Sequence, residues 1–425
     1  MDTSLDQPSA DVILQKYGRF GVNLGLSRIQ ALLQTLGNPQ LRVPIVHVAG
    51  TNGKGSVCAY VSQVLSHAGY RVGRYTSPHL VSWRERICIN QQPIAEADLL
   101  RHLTEVEAAI DASVETPTQF EVFTAAAWCY FAAQAVDIAV IEVGLGGRLD
   151  ATNVCSTPLV TAVVSLSREH WQRLGPTLRD IAREKAGILK PRRPVVIGPL
   201  PPEADEVVRK RAVDLESPLY EVAPAVVQAD DGSWCGGLAP GITYQPGLLG
   251  KHQRTNSSIA IAILQLLQKQ GWNISPDSIR TGMAQTRWPG RLQWVTWQGR
   301  RLLIDGAHNP AAAAVLADYV RQLPQPTTWL MGMLATKDHA DIFTALLQPG
   351  DRLHLMPVPG HETADPDQLG HLAQQVCPQL ATWSSHPHLE AGLEATADIT
   401  EGTVVLCGSL YLVGQFLQTY GAASP

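Results

Sequence analysis

Several things are missing from these 425 residues, and each absence removes a class of function. There is no cysteine framework: Cys58, Cys88, Cys129, Cys155, Cys235, Cys377 and Cys407 are scattered, odd in number and never spaced as C-x-x-C. That pattern reads as reduced, buried thiols and speaks against both disulfides and a zinc site. There is no excess of positive charge, since 33 Lys and Arg face 38 Asp and Glu for a net charge of -5. The whole-molecule field therefore offers nucleic acid or an anionic membrane no attraction, and an anionic ligand has to be held locally. No run approaches the roughly 18 apolar residues of a spanning helix. The opening MDTSLDQPSADVILQKYGRF lacks the basic-then-apolar order of a signal peptide, so the chain reads as cytoplasmic. Serine and cysteine nucleophile motifs and internal repeats are absent too. Ten tryptophans are present, but Trp288, Trp294 and Trp297 sit in a neighbourhood that is not basic and read as packing residues.

What is there is an ordinary globular composition, 45% hydrophobic and 17% charged, in a chain too long for one core. Two domains, one about twice the other, are expected, with a cleft between them. Short apolar runs, PIVHVAG, YRVGRYTS, DIAVIEVGLGG, LVTAVVSLS and RPVVIGPL, alternate with helical patterns such as Ser56–Ala68 and Thr124–Ala135. Continuous Val/Ile runs with helical spacers predict a parallel sheet covered on both faces. RRLLIDGAHNP, TTWLMGML, DRLHLMPV and GTVVLCGSLYLVG predict a second, smaller α/β domain. The hinge is placed at about Gly290–Gly299, giving domains 1–290 and 291–425, with Pro201–Gly247 read as strands and loops decorating the first.

The stretch VHVAGTNGKGS runs from a strand into a glycine-rich turn holding one lysine. Gly50, Gly53 and Gly55 permit a loop whose backbone N–H groups point inward, and the following helix aims its positive end at the same spot. Phosphate fits there, with Lys54 on the outer phosphates and the Ser56 hydroxyl on a bridging magnesium ion. A strict Walker loop would instead need glycine at Val48 and a hydroxyl at Gly55. The loop indicates a nucleotide but not a reaction.

Further residues narrow the chemistry. Glu142 ends an apolar strand and is followed by glycines and Asp150, where an open parallel sheet places its ligands, so it is a second candidate for magnesium. His170 lies just beyond another strand, although a lone histidine is more often a satisfied core or surface residue. Lys185, between Glu184 and Ala186 in IAREKAGI, reads on spacing alone as a solvated helix face. Asp305 and His308 stand on a glycine turn after a strand, and Arg291 stands at the hinge, placed for phosphate.

VAGTNGKGS, TSPHL, ERI, FEVFTAAA, EVGLGGRLDATN, IAREKAGI, HQRTN, PGRLQ, DGAHNP, GMLATKD and GSLYLVG resemble, in this order, the motifs of the folylpolyglutamate synthase and dihydrofolate synthase family, from about Tyr17 to Gly414. The resemblance implies a P-loop-type, mostly parallel sheet domain like the Mur ligase central domain, followed by a smaller Rossmann-like α/β domain. It implies ATP-driven activation of the carboxylate of dihydropteroate, or of a folate's terminal glutamate, as an acyl phosphate captured by L-glutamate. Carried over, Gly50, Thr51, Asn52, Gly53, Lys54, Gly55 and Ser56 hold the triphosphate, while Ser77 and Glu142 serve magnesium with Ser56. His170 would ligate a second magnesium, and Lys185 matches a lysine commonly carbamylated into a metal ligand. Asn256 would meet adenine, Arg291 the phosphates, Asp305 the ribose side and His308 the reacting phosphoryl region. Phe120, Glu121, Asp150 and Ala151 would line the pterin pocket, with VNLGLSRI beside it. The pterin positions match the bacterial type that accepts dihydropteroate, and a bifunctional, monomeric enzyme is the expectation. The family has Asp-His-Thr where this chain has Glu169–His170–Trp171, a longer carboxylate beside the histidine.

Two rivals remain. A Mur ligase acting on peptidoglycan precursors carries an extra domain before the glycine loop, whereas about fifty residues precede it here. A nucleotide-binding regulatory protein would hydrolyse ATP with no need of a pterin acid or glutamate.

Overall fold

The structure is a computed structural model and describes residues 9–18, 23–111 and 115–421. The chain forms two compact units. The first takes the chain up to Pro78, Ser82–Gly247 and Gln253–Thr286; the second takes His79–Val81, Leu248–His252 and the chain from Arg287 onward.

The first unit is built on eight strands: β1 (Ile45–Ala49), β2 (Val72–Tyr75), β3 (Ile87–Ile89), β4 (Gln92–Pro93), β5 (Ile138–Glu142), β6 (Val160–Val163), β7 (Val195–Ile197) and β8 (Leu219–Glu221). They lie in the order β4-β3-β2-β5-β1-β6-β7-β8, parallel from β2 to β8. β1, β5, β6 and β7 are buried along their whole length, which is why they read as unbroken Val/Ile runs. The chain turns to opposite sides at β1, which is flanked by β5 and β6. A crevice therefore opens beyond the carboxyl ends of these three strands.

Helices cover both faces: α1 (Ala10–Gly18), α2 (Ser27–Thr35), α3 (Lys54–His67), α4 (Glu96–Ala108), α5 (Gln119–Ala133), α6 (Trp171–Leu174), α7 (Leu178–Ala186), α8 (Pro202–Asp214), α9 (Gln253–Lys269) and α10 (Pro276–Gln285). α5 is apolar on every side and its first turn is closed by a reciprocal Thr118–Glu121 capping box. It is the centre of a cluster with α1, α2 and α4, whereas α7 and α8 pack on β6 and β7.

The sheet is mostly parallel, as the resemblance implies, and β3 and β4 add an antiparallel edge that the strand runs did not announce. Their turn places Asn90 and Gln91 at φ 46° and 68°, a two-residue hairpin without the glycine that would have announced it. Pro201–Gly247 also holds a helix, α8, whose proline occupies the first turn, where a missing N–H costs nothing. Only afterwards does it form a small antiparallel sheet, β9 (Val226–Val227), β10 (Trp234–Gly236) and β11 (Ile242–Tyr244).

The second unit has a six-stranded sheet, β12 (Gln293–Trp297), β13 (Arg300–Ile304), β14 (Thr327–Met331), β15 (Arg352–Leu355), β16 (Thr382–Ser385) and β17 (Thr403–Cys407). The order is β12-β13-β17-β14-β15-β16, parallel except for β12, which pairs with β13 through a tight turn at Gln298–Gly299. Gly290–Gly299 thus contains β12 and its turn. α11 (Pro310–Val320), α12 (His339–Leu346), α13 (Pro366–Val376), α14 (Leu389–Glu394) and α15 (Leu410–Tyr420) enclose it, giving two apolar clusters. Among the described residues no helix is long and apolar enough to cross a membrane.

Candidate active site

The glycine loop follows β1 into α3 at the crevice. Gly53 has φ 85°, and a Cβ there would stand 2.4 Å from Asn256 Oδ1. Gly53→Ala is thus expected to weaken ADP binding about tenfold, from ~1–2 kcal/mol of strain in the loop. A calorimetric ADP titration checks this, and unchanged affinity would show that the loop relaxes freely.

The expectation that every loop N–H points inward needs correction. Thr51 N donates to Ser165 O at 2.8 Å and Asn52 N donates to Ser165 Oγ at 3.0 Å. Ser165 Oγ donates back to Asn52 O at 2.8 Å, while Thr51 Oγ1 bonds both the carbonyl and the amide of Ser167 at 3.1 Å. The segment after β6 therefore locks the loop's shape, and it is the first-turn N–H groups of α3 that the helix itself leaves available to an anion. In the sequence Ser165 and Ser167 belong to the strand run LVTAVVSLS, and serines alternating just beyond a buried strand are the signal for this role.

Charge is concentrated around this loop. Lys54 Nζ donates to Thr51 O at 3.1 Å and stands 3.8 Å from Glu142 Oε1. Glu142, at the end of β5, is 4% exposed, and its Oε2 accepts from Ser77 N at 3.2 Å. Lys185 is not on a solvated helix face. It is buried, and its Nζ donates to Gly50 O at 2.8 Å. Burial, with Lys54 nearby, pushes its pKa down to about 7, against the opposing pull of Glu169 and Asp150. Its neighbours suggest a charged face: Arg183 pairs with Asp180 at the surface, and the largely buried Glu184 pairs with the exposed Arg148. Lys185 instead shares the buried stripe of α7 with Ile181, Ala182 and Ala186, and a lysine on an apolar stripe was the missed signal.

His170 caps the start of the four-residue α6 with φ 52° and is exposed, three residues beyond the Ser167 that holds Thr51. In the second unit, Asp305 follows β13 and is buried. Its Oδ2 accepts from Leu292 N and its Oδ1 from Ala307 N, each at 2.8 Å. Burial raises its pKa and Arg291 and His308 lower it, so these three expected residues stand together. His308 Nδ1 lies 2.8 Å from Gly306 O, and Asn309 caps α11 through Ala312 N.

The donors at the loop suit magnesium. The Glu142 carboxylate is buried beside the Ser77 amide, and the Ser56 hydroxyl is buried at the start of α3. Carboxylate and hydroxyl oxygens are hard donors, and a carboxylate so placed is stabilised by a cation. Among the described residues no three His, Cys, Asp or Glu side chains form a ready chelate, so substrate phosphate and water would complete the coordination of any ion.

A family model described as dihydrofolate synthetase, C-terminal domain, matches residues 292–419. Folylpolyglutamate synthase of Lacticaseibacillus casei is 36% identical over 411 residues, 92% of this chain and 93% of that protein. The chain belongs to the folylpolyglutamate synthase and dihydrofolate synthase family. Dihydrofolate synthetase of Saccharomyces cerevisiae is 34% identical, covering 94% of this chain and 99% of that one. The structure of Escherichia coli FolC in complex with DHPP and ADP superposes with a TM-score of 0.82 at 30% identity, over 95% of each chain. This is a two-domain, Mur-ligase-like α/β ligase fold, and the regulatory-protein rival falls.

Within that family frame, the four expected pterin residues divide by role. Phe120 packs over Gly144, where a Cβ would stand 2.4 Å from its ring, and it shares a cluster with Ala151, Tyr75 and Trp83. Glu121 is 2% exposed; its Oε2 accepts from Thr118 N at 2.7 Å and from Arg28 Nε at 3.1 Å, while its Oε1 is buried without a partner. Asp150 is an organiser of its own loop, accepting from Leu145 N at 2.7 Å and from Thr152 N and Oγ1 at 3.0 and 2.5 Å. Thr152 Oγ1 in turn lies 2.9 Å from His47 Nε2, whose pKa burial and Lys190 push down to about 3. VNLGLSRI begins at Val22, outside the described residues, while its Arg28 bonds Asn23 O and Glu121.

Proposed function

We propose that this ligase joins L-glutamate to dihydropteroate and to the terminal glutamate of reduced folates, driven by ATP, as a monomer in the cytoplasm. The observation that carries the reading is the convergence of Lys54, Glu142 and Lys185 on the loop Gly50–Ser56.

The acid's carboxylate oxygen attacks the γ-phosphorus, ADP leaves, and an acyl phosphate forms. The neutral amine of glutamate then attacks the acyl carbon, and inorganic phosphate leaves as the amide bond forms and the amine proton is lost. Such chemistry rests on positioned charge and needs no covalent nucleophile. Lys54 and the first turn of α3 bind the triphosphate and Asn256 the adenine, with Arg291, Asp305 and His308 assigned to the phosphates, ribose and reacting phosphoryl group. Phe120 and Ala151 supply an apolar wall for the pterin, Glu121 a buried acceptor for its N–H groups, and Asp150 holds the loop that carries Ala151. Magnesium, when bound, would offset the negative charge of the phosphates; Ser56, Ser77 and Glu142 would hold one ion, His170 and a carbamate on Lys185 a second. Residues 1–290 then act as the ATP and pterin domain and 291–425 as the glutamate ligase domain.

Phosphate release from ATP, measured with magnesium, L-glutamate and either dihydropteroate or tetrahydrofolate, tests this. Release with both acids supports a bifunctional enzyme, and release with one names its substrate. Release with neither would overturn the proposal.

A further inference from the structure

Gln253 is the first residue of α9 and 1% exposed. Its side-chain Nε2 donates to Ser56 Oγ at 3.2 Å, and its Oε1 accepts from Asn256 Nδ2 at 3.1 Å. Its main-chain oxygen accepts from Ser257 Oγ at 2.6 Å. The carboxamide is thus held at both ends, and its orientation is fixed by the side chain one turn along the same helix. Asn256 is itself confined, because its Oδ1 lies against Gly53.

A serine hydroxyl has one proton and two lone pairs. Ser56 is 3% exposed at the start of α3, and Gln253 takes one of those lone pairs. The second lone pair is left with a defined direction, a constraint that a hydroxyl free to rotate lacks. We propose that Gln253 is a positioning residue for the metal: its amide N–H fixes the Ser56 hydroxyl in the orientation that a nucleotide-bound divalent cation requires. The hydrogen-bond chain Asn256–Gln253–Ser56 then links the residue assigned to adenine with the residue assigned to the metal, through one buried side chain. This rests on the reading that Ser56 serves magnesium. Side chains that orient a metal ligand in this way are typically worth 10–100-fold in metal affinity or activity.

The test reads the metal directly. Mn2+ binding to the complex of the full chain with ADP is followed by electron paramagnetic resonance, for the wild type, Gln253→Leu and Ser56→Ala. Metal-free ADP binding, measured by calorimetry, shows that each variant retains its nucleotide site. Gln253→Met, which keeps the length of the side chain but removes the N–H donor without adding charge, serves if the leucine variant does not fold. The expected result is Mn2+ affinity about tenfold weaker in the Gln253 variant, with metal-free ADP affinity within about twofold of wild type. If Ser56→Ala weakens Mn2+ binding and the Gln253 variants do not, Gln253 is structural and the proposal is overturned while the metal reading stands. If neither weakens it, the assignment of Ser56 to the metal falls and the proposal falls with it.

Discussion

Lys54→Ala is expected to abolish glutamate ligation, with a loss of about 10³-fold or more, corresponding to ~4 kcal/mol of transition-state stabilisation. The reason lies in what the ammonium touches. It is held by Thr51 O at 3.1 Å and faces Glu142 at 3.8 Å, and its side chain is not part of an apolar cluster. Nothing in the core loses packing when it is removed, so the variant should unfold within a few degrees of wild type. A substituted arginine is not expected to restore activity, because its planar fork cannot replace a compact point charge in a loop this tight. Initial rates of phosphate release with dihydropteroate and glutamate, set beside a thermal melt, measure both halves. Ligation near wild-type rates in a folded variant would remove the loop from the chemistry.

The strands and the glycine loop were legible because both are local. Buried parallel strands must read as Val/Ile runs, and a phosphate loop must carry its glycines in sequence. The hairpin at Asn90–Gln91 escaped because tertiary packing holds two non-glycine residues at positive φ. α8 escaped because proline breaks helices everywhere except in the first turn. The site was legible where a residue acts beside its own strand, as Glu142 does. It was illegible where partners come from distant segments: Ser165 closing the loop over Thr51 and Asn52, and Gln253 reaching Ser56. Asp150 shows the converse, since its place beside the loop was foreseen but its oxygens are engaged in building the loop. Lys185 is the sharpest case. The charged run Arg183–Glu184 beside it suggests a solvated face, and only the stripe it shares with Ile181, Ala182 and Ala186 reveals that it points inward.

That buried position gives Lys185 its own prediction. A carbamate forms when a neutral amine attacks CO2 and loses a proton, and an ordinary lysine is neutral less than about one time in a thousand at pH 7. With a pKa of about 7, Lys185 is neutral about half the time, so burial prepares it for the reaction. The carbamate would replace a cation beside Lys54 with an anion, removing the repulsion that helps to lower the pKa. Lys185→Ala is expected to lose at least about 10²-fold in ligation and to recover part of it with formate or acetate, which fit the vacated space and supply the missing carboxylate. The same residue should leave a mark on stability. In CO2-free buffer, between about pH 7 and the ordinary lysine value near 10.5, the unfolded chain binds a proton at Lys185 that the folded chain does not. Stability from this residue therefore rises with pH across that window, by on the order of a few kcal/mol, and Lys185→Met should flatten the rise. Melting temperatures of both proteins from pH 7 to 10 test the burial, and carboxylate rescue tests the carbamate. An alanine variant of full activity without added carboxylate would end the carbamate assignment, while a slope unchanged in the methionine variant would mean that the amine reaches water after all.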